Sequence, residues 1–126
     1  MNMDKIILDG MEFYGFHGLY PEERVKGQKF QVNIILELPL AKAGRQDCID
    51  WSVNYSEVFC TVKHIVEGSP KNLLESVAEE IAAQILGKYS VHQVTVFIRK
   101  PDVAIRGANL KYAGVSIQRQ LPHEEC

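Results

Sequence analysis

A carboxylate at the start of a predicted helix is the first feature of the sequence that could bind a ligand. Asn72 stands where a helix N-cap belongs, and Glu75 follows three residues later, which is the spacing of a capping box. A carboxylate in the first helical turn is also kept ionised by the helix dipole, and it can accept two parallel N–H bonds from a guanidine-like edge. Glu75 is therefore a helix cap, a ligand anchor, or both.

The spacing of histidines and cysteines in this sequence does not favour a metal site or a disulfide framework. The four histidines are dispersed and form no His-x-His or His-x-x-x-His pair that could begin a metal site. Cys48, Cys60 and Cys126 are odd in number and share no short spacing, which argues against a disulfide framework and a thiolate zinc site. We therefore expect free thiols and no metal site.

Length and composition indicate an ordinary globular protein. A chain of 126 residues, 46% hydrophobic and 24% charged, has the size and composition of one domain, expected to span 1–126. The net charge of −2 gives no electrostatic reason to expect nucleic acid as a partner. No apolar run approaches the roughly 18 residues of a membrane span, and the N-terminus lacks the apolar core of a signal peptide. We therefore expect a cytoplasmic protein with no membrane partner.

The elements that must position these residues follow from hydrophobic periodicity. The apolar residues within 72–86 form one stripe at helical spacing, which needs a sheet or another helix to cover it. The predicted elements are, in chain order, strands over 5–14 and 28–40, helices over 55–67 and 72–86, and strands over 91–100 and 109–119. This ββααββ order favours an α+β fold, a four-stranded antiparallel sheet with two helices on one face.

Several irregular positions complete the predicted fold. The phase of the apolar residues changes across Gly10, which indicates a β-bulge there. Residues 15–27 and 41–54 are rich in turn formers and are expected to be loops, and Gly87 is expected to end the second helix. The uncovered face of the sheet is mostly polar, so it either meets solvent or lines a barrel built by several subunits.

Four short segments stand out together, although none of them is specific alone. They are Phe13-Tyr14-Gly15-Phe16-His17-Gly18 with Glu23 downstream, Val53-Asn54-Tyr55-Ser56-Glu57-Val58, Asn72-Leu73-Leu74-Glu75 and Ile98-Arg99-Lys100-Pro101. In this order and at these separations they resemble dihydroneopterin aldolase of folate biosynthesis, over about residues 5–119. The resemblance implies the tunnelling fold, in which subunits join into a ring around a barrel. It also implies a homo-octamer of two stacked tetrameric rings with sites between subunits.

The resemblance further implies an activity. Proteins of this family cleave the side chain of 7,8-dihydroneopterin to give 6-hydroxymethyl-7,8-dihydropterin and glycolaldehyde, and many also epimerise the substrate to 7,8-dihydromonapterin. They use neither a metal nor a Schiff base, so the resemblance implies that no cofactor is needed. The substrate explains why neither is needed, because the C6=N5 imine of the dihydropterin ring can itself accept the electrons of a retro-aldol cleavage if N5 receives a proton.

Carried over by motif, the resemblance assigns roles to particular residues. Glu75 would anchor the pterin by accepting bonds from its amino group and a ring N–H. Lys100 would act near N5 as a general acid and base, and Glu23 would orient Lys100 or a catalytic water. Tyr55 would reach the site from the neighbouring subunit and transfer a proton to or from the substrate. Glu23 and Tyr55 would also contact the substrate. Backbone groups around three more residues would complete the pterin pocket: Ser52, Val53 and Leu74.

Each catalytic candidate also has an ordinary structural interpretation. Lys100 can be a solvated lysine at the end of a strand, since lysines are rarely buried. Glu23 can be a solvated charge in a loop, and Tyr55 can be an interface aromatic whose hydroxyl is satisfied. The sequence alone leaves these interpretations open.

Two other functions also stay open. The first is dihydroneopterin triphosphate 2′-epimerase, which resembles the aldolase in fold and would need a basic pocket for triphosphate. Candidates for that pocket are Arg99, Arg106 and Lys111. The second is a non-catalytic pterin-binding assembly protein, against which the matching lysine, tyrosine and two acids argue. Zinc-dependent pterin enzymes of this fold are disfavoured by the lack of clustered ligands.

Overall fold

The computed structural model describes residues 3–102, 107 and 109–121. Its elements are β1 Lys5–Gly15, α1 Pro21–Lys26, β2 Gln28–Glu37, α2 Ala41–Gln46, a 3₁₀ helix Ile49–Trp51, α3 Tyr55–Val66, α4 Leu74–Lys88, β3 Gln93–Lys100 and β4 Ala113–Arg119. The strands are hydrogen-bonded in the order β1-β2-β3-β4, and each neighbouring pair is antiparallel. The predicted α+β fold, a four-stranded antiparallel sheet covered by two long helices, is confirmed.

The core lies between one face of the sheet and the two long helices. The predicted alternation of β2 is present, because Phe30, Val32, Ile34 and Leu36 are fully buried and the residues between them are not. Each such burial contributes about 1.5–3 kcal/mol, more than a helix cap does. The apolar stripes of the helices close this face, with buried residues Val58, Val62, Ile65 and Val66 in α3 and Val77, Ala78, Ile81, Ala82 and Ile85 in α4.

The predicted β-bulge near Gly10 is confirmed. The register between β1 and β2 shifts between Leu8 and Met11, and Gly10 has a φ of 78°. The amide of Gly10 donates to Oδ1 of Asn33 at 2.7 Å, so the bulge does not leave that amide unpaired. The extra residue allows side chains on both sides of the bulge to face the same core.

The start and end of α4 differ from the prediction. The N-cap residue is Leu73, whose side chain makes no capping bond, so the predicted capping box of Asn72 and Glu75 is wrong. Oδ1 of Asn72 instead accepts a hydrogen bond from the Arg24 guanidinium. The helix also continues through Gly87 to Lys88, because a glycine in the last turn costs only about 0.5–1 kcal/mol.

The two predicted loops contain short helices. Residues 41–54, expected to be a loop, hold α2 and the 3₁₀ helix, and residues 15–27 hold α1. The turn formers that suggested a loop lie within or at the end of these helices: Gly44 is inside α2, and Asp47 ends it with a φ of 51°. A six-residue helix has too few apolar positions to show a stripe, so periodicity cannot detect it.

The sheet face opposite the helices is mostly polar, as predicted, although Ile35 and Phe97 also lie on it. Its side chains bond to one another, for example Nε of Arg99 to Oε1 of Gln31 at 2.7 Å and the Gln93 amide to the Glu37 carboxylate. Whether this face lines a barrel between subunits stays a prediction. Within the part of the chain that the structure describes, no helix combines the length and apolar character needed to span a membrane.

Candidate active site

A cleft of about 540 Å³ opens where α1, the start of α4, the end of β3 and the start of β4 meet. Each strand or helix contributes residues from one end, which is where side chains and backbone groups are free to face a ligand. The charged and amide side chains that line the cleft come from three regions of the chain: Glu22, Glu23 and Gln28 from the first, Asn72 and Glu75 from the second, and Lys100 and Asp102 from the third. The predicted residues Glu23, Leu74, Glu75 and Lys100 all line this one cleft.

An ion pair between Lys100 and Glu23 occupies one side of the cleft. Nζ of Lys100 lies 2.5 Å from Oε2 of Glu23, and the two side chains are 16% and 21% exposed. Lys100 is the last residue of β3 and pairs with Ala113 of β4. Pro101, which has no N–H to donate, follows it as the strand ends. The strand thus places an ammonium group at the wall of the cleft. Lys100 is more enclosed there than most lysines are in proteins.

The Glu23 carboxylate is held by three donors. Besides Lys100, Nε2 of Gln28 donates to Oε2 at 2.8 Å and the amide of Tyr20 donates to Oε1 at 3.3 Å. Burial by itself raises the pKa of Glu23, but the hydrogen bonds from Lys100, Gln28 and Tyr20 outweigh burial, so the pKa lies below its usual value. Glu23 is therefore an ionised carboxylate at neutral pH, poised to hold or accept a proton shared with Lys100.

Helix α1 brings Glu23 to this position. Tyr20 is its N-cap, Pro21 is its first residue, and Glu23 closes a capping box with the Tyr20 backbone. Gly18, just before the helix, has a φ of 153°, and a Cβ there would lie 2.5 Å from Cδ and Oε1 of Glu23. A glycine at position 18 is therefore required for the carboxylate to approach the loop as closely as it does.

Glu75 lies on the other side of the cleft, in the first turn of α4. Its side chain is exposed, and within residues 3–102, 107 and 109–121 no hydrogen bond to its carboxylate is found. The first amides of a helix have no intrahelical partner. Those of Ser76 and Val77 donate to the Leu73 carbonyl, which leaves the N–H groups of Leu74 and Glu75 to face a ligand next to this carboxylate. Donor and acceptor groups are thus available side by side for a planar polar ligand.

Three predicted site residues lie elsewhere in the same chain. Tyr55 is the first residue of α3, is 63% exposed and is not among the residues that line the cleft. Val53 is buried, and Ser52 lines a separate cavity of about 650 Å³ beside Trp51 and Lys42. One chain therefore brings Glu23, Leu74, Glu75 and Lys100 together but not Ser52, Val53 and Tyr55.

Sequence reasoning did not single out two polar residues of the cleft. Gln28 begins β2 two residues before the buried Phe30, so it is a polar residue on the apolar side of the strand. Asp102 follows Pro101 and looks like an ordinary turn residue. Two signals could have found them. The first is that Gln28 interrupts the apolar phase of β2, and the second is proximity in sequence, since Gln28 is five residues after Glu23 and Asp102 is two residues after Lys100.

The basic residues considered for a triphosphate do not gather in the cleft. Arg99 stacks against Phe97 and Tyr112, with its guanidinium carbon 5.5 and 5.3 Å from their ring centroids. Lys111 is exposed and does not line the cleft, and Arg106 lies outside the described residues. Among the described residues that line the cleft, Lys100 is the one cation.

The described cysteines are unpaired, and the possible metal ligands are dispersed among the described residues. Cys48 and Cys60 are free thiols, as predicted, and Cys126 lies outside the described residues. Over residues 3–102, 107 and 109–121, no three side chains of His, Cys, Asp or Glu come together in a way that could hold a metal ion.

Comparison with known proteins gives a consistent result at the level of sequence. The family model for dihydroneopterin aldolase (FolB) matches residues 6–118. A dihydroneopterin aldolase of Bacillus subtilis is 45% identical over 119 residues, which cover 94% of this chain and 98% of the relative. Dihydroneopterin aldolase 1 of Arabidopsis thaliana is 48% identical over 118 residues, which cover 93% of this chain and 81% of the relative.

Solved structures agree with the sequence comparison. An E. coli dihydroneopterin aldolase in complex with neopterin superimposes with a TM-score of 0.85 and 28% identity, covering 93% of this chain and 99% of that one. A dihydroneopterin aldolase from a Burkholderia species, bound to guanine, gives a TM-score of 0.75 and 26% identity, covering 95% of this chain and 93% of that one.

Proposed function

The chain belongs to the dihydroneopterin aldolase family, and we propose that the cleft between α1 and α4 is the place where it cleaves 7,8-dihydroneopterin. The reaction is that of an aldehyde-lyase in folate biosynthesis, and its products are 6-hydroxymethyl-7,8-dihydropterin and glycolaldehyde. The observation that carries the assignment of the cleft is the Lys100–Glu23 ion pair, which faces the same space as Glu75.

Glu75 anchors the pterin ring in this proposal. A pterin presents an amino group and a ring N–H on one edge, and a carboxylate can accept both bonds at once. Guanine carries the same 2-amino-4-oxopyrimidine edge as neopterin, and structural relatives bind each of these compounds. Backbone groups at Leu74, beside Glu75 in the first turn of α4, complete the contact with this edge.

Lys100 and Glu23 supply the acid–base chemistry. A base removes the proton of the side-chain 2′-hydroxyl, the C1′–C2′ bond breaks, and glycolaldehyde leaves with the new carbonyl. The bonding electrons move into C1′=C6 as N5 takes a proton, and C1′ then gains a proton while N5 loses one. Lys100 serves N5, directly or through a water, and Glu23 holds the Lys100 ammonium in place and contacts the substrate. The same steps with re-addition of glycolaldehyde on the other face give 7,8-dihydromonapterin.

The remaining predicted residues reach the site from a second subunit. Ser52, Val53 and Tyr55 do not line the cleft of their own chain, yet all three lie close together in sequence at the start of α3. The sheet also has two outer strands, β1 and β4, whose outer edges are available for pairing between subunits. Both observations support a homo-oligomer with shared sites, which we propose to be an octamer of two tetrameric rings.

The activity is tested by a product assay of the purified protein with 7,8-dihydroneopterin in the presence of a chelator. We expect 6-hydroxymethyl-7,8-dihydropterin to form, and Lys100→Ala to lower turnover about 10²–10⁴-fold while pterin binding largely survives. The matched control is Lys63→Ala, which removes an exposed lysine of α3 outside the cleft and should keep wild-type turnover. Formation of the epimer alone would contradict the aldolase assignment and direct attention to the triphosphate substrate.

The shared site is tested by subunit complementation. We expect Lys100→Ala and Tyr55→Phe proteins to be weakly active alone, and to regain activity after the two are dissociated, mixed and reassembled. Mixed assemblies regain intact sites only if Lys100 and Tyr55 of one site come from different subunits. If the mixture is no more active than the two separate variants after verified subunit exchange, the shared site is contradicted. That residues 1–126 form a single domain and that the protein is cytoplasmic both stay predictions.

A further inference from the structure

His17 is fully buried, and both of its ring nitrogens are bonded to the backbone. The Lys71 amide donates to Nδ1 at 3.0 Å, so Nδ1 carries no proton, and Nε2 donates to the carbonyl oxygen of Val66 at 2.7 Å. The ring also packs edge-on against Phe30, with centroids 5.4 Å apart. These contacts require a neutral imidazole in a single tautomer.

The bonds of His17 join two segments that lead into the cleft. His17 belongs to the connection between β1 and α1, the helix that carries Glu23. Val66 ends α3 and Lys71 lies in the connection from α3 to α4, the helix that carries Glu75. The Gly18 amide donates to the Lys71 carbonyl at 2.9 Å and adds a backbone bond between the same segments.

Arg24 spans the same two segments at the surface. Its Nε donates to the carbonyl of Gly18 at 2.9 Å, and its guanidinium donates to Oδ1 of Asn72, three residues before Glu75. Helix α1 has no buried residue of its own, so hydrogen bonds, and not core packing, fix its position. The Arg24 bonds act together with the bonds from Lys100 and Gln28 to Glu23. We use the term brace for His17 and Arg24 together with their four bonds.

We propose that His17, supported by Arg24, is a positioning residue that sets where Glu23, and through it the Lys100 ammonium, lies relative to the ligand held by Glu75. The proposal rests on the proposed function of the cleft. Helix α4 is fixed by its own buried stripe, so loss of the brace leaves Glu75 in place and lets α1 shift. A shift of about 1 Å in a catalytic group can lower a rate about 10²-fold without removing any contact to the ligand.

The test compares two substitutions at His17. In His17→Phe a buried ring remains but both hydrogen bonds are lost. In His17→Gln the side-chain amide offers an acceptor oxygen and a donor nitrogen bonded to the same carbon, as the two imidazole nitrogens are. The oxygen can therefore accept from the Lys71 amide and the nitrogen can donate to the Val66 carbonyl. We expect His17→Phe to lower kcat about 10²-fold with less than a fivefold change in the dissociation constant for neopterin, and His17→Gln to restore most of kcat.

A stability control separates positioning from general damage. Val62→Ala removes a fully buried side chain of α3 that does not contact the cleft, and it should lower the unfolding temperature while kcat stays within about twofold of wild type. If His17→Phe does not fold, Arg24→Ala decides, because Arg24 is exposed and its loss creates no cavity. For that variant we expect kcat to fall about tenfold, the effect of losing a charge-assisted hydrogen bond.

The outcomes distinguish this inference from the proposed function. An active wild type with a fully active His17→Phe, or with equal losses of kcat in Val62→Ala and His17→Phe, overturns the positioning role and leaves the proposed function standing. Loss of neopterin binding in His17→Phe, at unchanged kcat under saturation, also overturns it. A wild type that binds neopterin and does not cleave 7,8-dihydroneopterin overturns both.

Discussion

Gly18→Ala should damage catalysis through one identified contact. A Cβ at position 18 would lie 2.5 Å from Cδ and Oε1 of Glu23, whereas ordinary van der Waals contact begins at about 3.4 Å. The Glu23 carboxylate must therefore retreat by the difference, 3.4 − 2.5, or about 0.9 Å. A displacement of this size takes it out of its 2.5 Å contact with Lys100, and about 10²-fold of kcat should be lost. Glu75 is not involved, so the affinity for neopterin should change little.

The assay is steady-state cleavage of 7,8-dihydroneopterin together with neopterin binding, and two comparisons make it decisive. Gly44→Ala places the same methyl group in α2, where nothing lies within 4 Å, and should keep wild-type kcat. In a Glu23→Ala background the carboxylate is absent and only the 2.8 Å contact with Cβ of residue 23 remains. Because the expected loss of kcat comes from the displaced carboxylate, adding Gly18→Ala there should have little further effect on kcat. An unchanged kcat in the single variant, or an equal loss in both backgrounds, would refute the reasoning.

Two other predictions concern binding and pH. Glu75→Gln should weaken neopterin binding roughly 10–100-fold at nearly unchanged kcat, because one of two bonds to a charged acceptor is lost. The control is Glu57→Gln, which changes a first-turn glutamate of α3. Equal neopterin affinities of wild type and Glu75→Gln, measured by titration calorimetry, would contradict the role of Glu75 as the anchor. Burial lowers the pKa of His17 below its ordinary value of 6.5, with Lys71 and Arg24 adding to the effect and the Val66 carbonyl and Glu80 opposing it. The unfolded chain therefore binds the proton more readily, so the free energy of unfolding should fall as pH drops below about 6.5, and less so in His17→Gln. Identical pH profiles for the two proteins in chemical denaturation would contradict this account.

The sequence predicts the sheet and long helices well because their signals are local and repeated. The apolar alternation of β2 and the stripe of α4 are imposed by a single buried face, so they can be recognised without knowing the partner elements. The bulge at Gly10 was predictable for the same reason, since an inserted residue leaves a visible change of phase. The short helices α1 and α2 have no buried residue, and a helix without a buried face leaves no periodic signal.

The site is predictable only in part from residue types and spacing. Glu23 and Lys100 are 77 residues apart, and nothing in either segment shows that α1 begins where β3 ends. Their pairing was expected only from the ordered motifs. Asn72 shows the opposite case, a local signal that is misleading. Its local pattern is typical of a helix N-cap, and yet its side chain bonds to Arg24, which comes from another part of the chain. A tertiary contact can thus override a local preference of about 1 kcal/mol.

The way the cleft is built separates the stability of the fold from the precision of the site. The strand that carries Lys100 and the helix that carries Glu75 are anchored in the core, whereas Glu23 stands on a six-residue helix with no buried residue. Its position depends on a few directed hydrogen bonds, which contribute about 1 kcal/mol each to stability but determine distances to within a fraction of an ångström. Substitutions in the brace should therefore lower kcat more than they lower the unfolding temperature, and substitutions in the core should do the reverse.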